Sequence, residues 1–131
     1  MRMRDAARPG DTVVVPPGTY RESVLVDKSS LTLRGSRGAV IDADGFGNGS
    51  VGIAVVASPF AGLDPRVEPN PDRTRVVGNV LLQNGLDPDP VRAGNRAADI
   101  VYDGSGTANC FARNVFRTDF PSGITALFPC A

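Results

Sequence analysis

The sequence predicts an all-β solenoid, a stack of short strands in which the chain turns after every few residues. Its clearest pattern is the β-branched run Thr12–Val15, preceded by Pro9-Gly10-Asp11 and followed by Pro16-Pro17-Gly18. Two more short apolar runs follow, at residues 24–26 and 31–33. Because each run holds only three or four residues before a turn, the pattern favours a solenoid over a sandwich of long strands.

Composition limits both the fold and the chemistry. The chain has 131 residues, enough for one domain with its own core, and its 15 Gly and 11 Pro leave little room for long helices. The 14 basic and 14 acidic residues cancel, which argues against nucleic acid or an anionic membrane surface as a partner. The sequence contains no His, which excludes His-dependent nucleophiles and the commonest metal ligand. The longest apolar run, residues 53–57, is too short to span a bilayer.

The order of the segments predicts a single domain over residues 1–131. Residues 1–8 are expected to form a reduced N-terminal cap, and residues 109–131 a C-terminal closing segment. Residues 58–73 and 86–97 are rich in Pro and are expected to be loop insertions, because the β-type rhythm resumes after each of them.

Two similar five-residue segments indicate an internal repeat. Residues 76–80 (VVGNV) and 111–115 (FARNV) both place Asn-Val after an apolar pair and one further residue. We expect Asn79 and Asn114 to be structural turn residues that bond the backbone of the next coil, because Asn tolerates the left-handed conformation and bonds nearby backbone groups.

The opening segment, AARPGDTVVVPPGTYRE at residues 6–22, resembles the start of right-handed parallel β-helix proteins of the pectin-lyase-like superfamily. The tail from residue 99 to residue 130 is similar to the end of secreted actinobacterial β-helix-repeat proteins. Residues 52–56, 64–70 and 79–85 are similar to the last coils of those proteins.

The resemblance implies a short right-handed parallel β-helix of about four to five coils, in which the central coils of longer members are missing. Gly10, Asp11, Gly18 and Tyr20 belong to the opening motif. The ring of Tyr20 is expected to pack at a corner rather than to bind sugar.

Cys110 and Cys130 are the only cysteines, and a Phe-Pro-Ser-Gly turn lies between them. A disulfide would close the tail and stabilise the fold by about 3 kcal/mol. Two buried thiols and a reactive cysteine are the alternatives. The disulfide implies an oxidising compartment, so we expect a secreted protein whose leader is absent from this sequence.

Four aspartates are weak catalytic candidates. Asp42 and Asp44 are two residues apart and would share one face of a strand, while Asp99 and Asp103 flank an apolar run. The superfamily uses such carboxylates to hold Ca²⁺ or as acid and base on uronic sugars, but Ca²⁺ needs six to eight oxygens. The favoured interpretation is therefore that these aspartates are solvated strand ends and turn caps. We expect no metal site and no cofactor, and calcium is expected only for the lyase alternative.

These observations favour a non-catalytic β-helix module, either structural or carbohydrate-contacting, that self-associates through exposed coil ends. The alternative is a polysaccharide lyase or related uronic-sugar-active enzyme that uses Asp and Arg, and this rests on the resemblance alone. A fragment without independent function is a third hypothesis.

Overall fold

The computed structural model describes residues 8–42, 51–58, 63, 69–82 and 98–130, and within them the regular structure is almost entirely β. The strands are β1 (Thr12–Val15), β2 (Gly18–Tyr20), β3 (Val24–Val26), β4 (Thr32–Gly35), β5 (Ala39–Ile41), β6 (Ile53–Val55), β7 (Arg75–Val77), β8 (Val80–Leu81), β9 (Ile100–Tyr102), β10 (Cys110–Ala112) and β11 (Asp119–Phe120). One short helix follows them, α1 (Ile124–Leu127). No helix in the described part of the chain is long and apolar enough to cross a membrane.

The strands form three sheets in which every pair of neighbours is parallel. The first sheet has the order β1-β4-β7-β10, the second β3-β6-β9-β11 and the third β2-β5-β8. The chain passes from the first sheet to the third, then to the second, and back to the first. We call each such passage a layer, so that β1–β3 form the first layer and β10–β11 belong to the fourth. The described residues confirm the prediction of an all-β protein, in that their strands form parallel sheets.

The core consists of apolar side chains that stack in register from one layer to the next. In the first sheet Leu33 pairs with Val76, which in turn pairs with Phe111, and all three are fully buried. In the second sheet Ile53 and Ile100 are paired in the same way. Each fully buried aliphatic or aromatic side chain contributes about 1.5–3 kcal/mol of hydrophobic free energy. A layer therefore gains stability mainly by stacking on its neighbours.

The turns that lead into the first sheet have a residue with positive φ at the same position in all four layers. Gly10, Ser30, Arg73 and Ala108 have φ values of 95°, 58°, 54° and 59°, and each lies two residues before a strand of that sheet. Three of the four are not glycine, although the left-handed region is unfavourable for residues with a Cβ. Backbone bonds link these turns, among them Gly10 N–H to the Ser30 carbonyl at 2.7 Å. The repeated turn fixes where each strand begins.

Close approach between layers requires glycine at two places. A Cβ on Gly106 would lie 1.9 Å from the carbonyl oxygen of Pro71. A Cβ on Gly35 would lie 2.6 Å from the carbonyl oxygen of Gly78. Both contacts involve backbone atoms, so a side chain there would push two layers apart.

The closing segment packs against the fourth layer. The N–H of Phe111 donates to the carbonyl of Phe128 at 2.9 Å, and Pro129 forms a parallel bridge with Phe111. The ring of Phe128 contacts Tyr102 edge-on, with centroids 4.9 Å apart. Cys110 and Cys130 form the expected disulfide, with Cα atoms 4.9 Å apart, which confirms that prediction.

Some expectations for the elements are revised or lie outside the described residues. Residues 69–73 of the expected insertion belong to the third layer, because the Ser30 N–H donates to the Asp72 carbonyl at 2.7 Å. The other insertion, 86–97, lies outside the described residues, as do residues 1–7 of the expected cap and residues 59–62 and 64–68.

We expect removal of the disulfide to lower the free energy of unfolding by about 3 kcal/mol, because it closes a loop of 20 residues that ends in the closing segment. The measurement is urea unfolding of the oxidised protein, the reduced protein and the Cys110→Ala/Cys130→Ala variant. Reductant should leave the double variant unchanged. Equal stability of all three forms would show that the closing segment stays docked without the bond.

Candidate functional site

The carboxylates singled out in the sequence do not converge in the described part of the chain. Asp42 follows β5 in the third sheet and is half-buried, whereas Asp99 and Asp103 lie at opposite ends of β9 in the second sheet. At about 3.3 Å per residue, the two ends of that strand are about 13 Å apart. Asp44 lies outside the described residues.

Asp99 and Asp103 both use their oxygens to bind backbone N–H groups. Asp99 is 1% exposed, and its Oδ2 accepts from the N–H groups of Arg117 and Thr118 at 2.8 and 3.3 Å. Asp103 is exposed; its Oδ2 accepts from the N–H of Ala57 at 2.9 Å and its Oδ1 from the N–H of Ser105 at 2.9 Å. Asp99 therefore bonds to the layer after its own, and Asp103 bonds to the layer before its own.

Asn79 and Asn114 stack on each other at the corner between the first and third sheets. Oδ1 of Asn114 accepts from the backbone N–H of Asn79 at 2.9 Å, and its Nδ2 donates to the carbonyl of Val76 at 2.9 Å. Asn79 is 1% exposed, and its Nδ2 donates to the carbonyl of Leu33 at 3.2 Å. Each amide thus reaches the preceding layer. Ser36 precedes them at the same corner and donates to the Val15 carbonyl.

The reason given for these asparagines is wrong in two respects: their amides bond the preceding layer rather than the next one, and neither asparagine is itself left-handed. The left-handed residue at this corner is the one before each asparagine: Gly78, with φ 66°, and Arg113, with φ 55°. The asparagines are at these positions because their amides bond backbone groups of a neighbouring layer. The prediction placed the left-handed conformation on asparagine, a residue type that tolerates it well. The structure has it on the residue directly before each asparagine.

A second buried amide, which the sequence did not reveal, holds the corner between the second and first sheets. Oδ1 of Asn109 accepts from the N–H of Thr74 at 2.9 Å, and its Nδ2 donates to the Pro71 carbonyl at 2.6 Å. The same Nδ2 lies 3.1 Å from the hydroxyl of Tyr102, which donates to the Ser105 carbonyl at 2.6 Å. Asn109 and Asn114 flank β10 and bond in the same pattern. The two asparagines, five residues apart on either side of β10, were the signal in the sequence that could have identified Asn109.

Of the residues of the opening motif, Gly10 and Asp11 precede β1, and Gly18 and Tyr20 lie in β2. Gly10 has φ 95°, and Asp11 accepts from the N–H of Arg8 at 2.8 Å. Gly18 begins β2 and pairs with Ala39. The half-buried ring of Tyr20 packs against the core, and its hydroxyl donates to the Pro16 carbonyl at 2.8 Å.

Asp27 is a buried carboxylate that the sequence analysis did not identify. It is 3% exposed, and neither oxygen meets a hydrogen-bond partner in the part of the chain that is described. It follows Val26 as Asp103 follows Tyr102, and both preceding residues pair with Val55. Burying a carboxylate without a partner is unfavourable.

A group of exposed arginines lies on the outer side of the first sheet and in its turns. The sequence analysis did not identify this group either. Arg34 and Arg75 occupy outward positions of β4 and β7, and both are exposed. Arg73 precedes β7, while Arg37 and Arg113 follow β4 and β10; these three are exposed as well. We use the term arginine face for these five residues. The neutral net charge of the sequence does not show where the individual charges lie on the surface.

The described residues contain no group of three or more His, Cys, Asp or Glu side chains arranged to hold a metal ion. Comparison with protein-family models, with curated proteins and with solved structures finds no match to this chain.

We expect Asn114→Ala to lower the free energy of unfolding by about 2 kcal/mol, because it removes partners of the buried Asn79 amides and of the Val76 carbonyl. Asn70→Ala is the matched control, since Asn70 is exposed and accepts a bond through its backbone carbonyl. The control should change stability by less than about 0.5 kcal/mol. Equal effects of the two variants in urea unfolding would contradict the stacking role.

We expect Asp27→Asn and Asp103→Asn to have opposite effects on stability. Asp27→Asn replaces a buried carboxyl group that has no hydrogen-bond partner among the described residues with an amide that cannot ionise, and it should raise the free energy of unfolding by about 1 kcal/mol. Asp103→Asn weakens bonds to the Ala57 and Ser105 N–H groups and should lower it by about 1 kcal/mol. Thermal and urea unfolding measure both. Destabilisation by Asp27→Asn would mean that its carboxylate has a partner beyond the described residues.

Proposed function

We propose that the chain is a short right-handed parallel β-helix that acts as a non-catalytic, carbohydrate-contacting module. Support for the fold comes from the sheet order, in which the first three layers each add a parallel strand to all three sheets and the fourth layer adds one to the first and second sheets. The apolar stacks and the repeated turns are the features that such a solenoid requires.

One observation carries the proposal that the module is non-catalytic. The two candidate acids with the best-defined surroundings, Asp99 and Asp103, have oxygens engaged by backbone N–H groups of adjacent layers. A general acid or base needs an oxygen available to the substrate proton. Carboxylates that already fix the register between layers are suited to holding the fold together.

The carbohydrate contact is assigned to the arginine face. In the register Arg75 pairs with Thr32, and Thr32 pairs in turn with Thr12; these are outward positions of β7, β4 and β1. Guanidinium and hydroxyl donors together match the hydroxyl and acidic groups of a polysaccharide chain.

The proposal also includes self-association and an extracellular location. Among the described residues, β1, β2 and β3 each pair on one side only, and Val14 in β1 is 43% exposed. Such edges favour pairing with another copy. The disulfide between Cys110 and Cys130 fits an oxidising compartment.

The test combines an activity assay with a binding assay on the same polysaccharides. Alginate, pectate and glycosaminoglycans are incubated with the protein, with and without Ca²⁺, and ultraviolet absorbance reports unsaturated uronide products. We expect a flat trace, together with retarded migration of the protein in gels that contain a bound polysaccharide. The absence of retardation by every polysaccharide would contradict the carbohydrate contact.

A calcium-dependent rise in absorbance would overturn the non-catalytic assignment in favour of a lyase. Asp42→Ala and Asp44→Ala would then locate the site, since an active acid or metal ligand cannot be replaced by alanine without loss of product. Glu22→Ala is the control, because it removes an exposed carboxylate that is not one of the four candidate aspartates.

A further inference from the structure

The two ends of the first sheet differ in how they are covered. Among the described residues, β1 pairs with β4 on one side and with no strand on the other. At the opposite end, β10 pairs with β7 and also contacts residues 128–130, which we call the closing strip. The N–H of Phe111 in β10 donates to the carbonyl of Phe128 at 2.9 Å, and Phe111 forms a parallel bridge with Pro129. The closing strip therefore occupies the place of a fifth strand.

The backbone groups at the open edge of β1 belong to Thr12 and Val14. Alternate residues of a strand direct their N–H and carbonyl groups to opposite neighbours. The carbonyls of Asp11 and Val15 accept from N–H groups of the second layer. Thr12 and Val14 alternate with the residues that bond the second layer, so their backbone groups face away from β4.

The backbone groups at the far edge of β10 belong to Phe111. The N–H of Cys110 donates to the carbonyl of Thr74, and the carbonyl of Ala112 accepts from the N–H of Gly78, so both residues face β7. Phe111 lies between them and faces the opposite way, toward the closing strip. Strand β1 of a second copy would bring one edge-facing residue to each side of Phe111. This is the alternation that joins the other strands of the sheet.

The side chains of the two strands also fit in this register. Val13 pairs with Leu33 at one end of the apolar stack that Phe111 completes at the other. Val13 is half-buried, whereas Leu33 and Phe111 are fully buried. Contact of Val13 with Phe111 of another copy would remove more apolar surface from water. The outward residues that would meet are uncharged: Thr12, Val14, Cys110 and Ala112.

The turns that precede the two strands match as well. Gly10 and Ala108 have φ values of 95° and 59°, and each lies two residues before its strand. The N–H of Gly10 donates to the carbonyl of Ser30 in the corresponding turn of the second layer. The first layer of a second copy therefore has the geometry of a layer that could follow the fourth.

We propose that the closing strip limits self-association, because it occupies the edge of β10 to which β1 of a second copy would otherwise bind, in parallel and with Val13 aligned on Phe111. The inference rests on the proposed self-association and names the partner strand and its control. While the strip is in place, the open edge of β1 pairs with the same edge of a second copy, and this contact closes as a dimer. An uncovered β10 permits head-to-tail addition, which does not close.

The disulfide between Cys110 and Cys130 holds the closing strip on β10. The residues before the strip have other anchors, since Ile124 is fully buried and Oδ2 of Asp119 accepts from its N–H at 3.0 Å. Reduction by dithiothreitol splits the S–S bond; each sulfur gains one electron and one proton, and the reagent becomes its cyclic disulfide. The strip is then held by noncovalent contacts, such as the ring of Phe128 on Tyr102.

The experiment measures the mass of the full chain by sedimentation velocity over a series of concentrations. We expect the mass of the oxidised protein to level off at a dimer. The Cys110→Ala/Cys130→Ala variant should continue past that mass by about twofold or more, without a plateau, because head-to-tail contacts repeat from copy to copy. Reduced native protein should behave like this variant.

Val14→Lys tests whether β1 is the partner strand. A lysine on an edge strand disfavours pairing, so this change should abolish growth of the double cysteine variant. Leu82→Lys is the matched control, because Leu82 and Val14 are 42% and 43% exposed and Leu82 follows β8 in the third layer. It should leave growth unchanged.

Phe128→Ala is a second way to loosen the strip, with the disulfide intact. It removes the ring that packs on Tyr102 and should increase the mass in the same direction by a smaller amount. Urea unfolding midpoints establish that each variant is folded, and Phe128→Ala decides the question if the double cysteine variant does not fold.

The outcomes separate this inference from the proposed self-association. A native dimer beside loosened variants that also stop at a dimer would overturn the inference and keep self-association. Open-ended growth of the oxidised protein would do the same. Growth that Val14→Lys does not reduce would overturn the pairing with β1. Native protein and loosened variants that are all monomeric at every concentration would overturn both.

Discussion

The amide of Asn114 bonds two backbone groups of the layer that precedes it, and the arrangement of the layers depends on bonds of this kind. It accepts from the N–H of Asn79 and donates to the carbonyl of Val76. Asn109 does the same for Thr74 and Pro71 at the other end of β10. Turns interrupt the strand ladders, and buried backbone groups that lack partners are costly. Side chains of an adjacent layer satisfy them and fix the register.

Fixed register explains both the core and the outer surface. Because layers superpose without slippage, apolar residues such as Leu33, Val76 and Phe111 stack inward in a narrow core. The alternate positions then point outward in equally regular rows, which is how Arg34 and Arg75 come to lie on adjacent strands. The same constraint that orders the core therefore fixes where these two arginines lie on the outer surface.

The sequence predicted the elements whose signals are local. Thr12–Val15 and Val24–Val26 are strands with the expected bounds, because each is an apolar β-branched run ended by turn residues. The disulfide was predicted from the two cysteines and the turn between them. Residues 18–20 and 119–120 were not recognised as strands, because each segment has only two or three residues and directly adjoins a proline. Their conformation comes from pairing with Ala39–Ile41 and Ile100–Tyr102.

The candidate site was predictable only in part. Asn79 and Asn114 were identified by the repeated Asn-Val, but the left-handed residues before them were not, since Gly78 and Arg113 share no chemical property. Asp27 gave no signal because burial of one carboxylate depends on tertiary packing. The arginine face was hidden by the neutral net charge, since only the register shows that Arg34 and Arg75 share an outer face.

Native-state amide hydrogen exchange, followed by NMR, is the most direct test of side-chain bonds between layers. The N–H groups of Thr74 and Asn79 are bonded to Asn109 and Asn114, and we expect both to be as strongly protected as the N–H of Ile100 within β9. In Asn114→Ala the protection of Asn79 should fall while that of Thr74 remains. Rapid exchange of Thr74 and Asn79 in the native protein, beside a protected Ile100, would contradict this account.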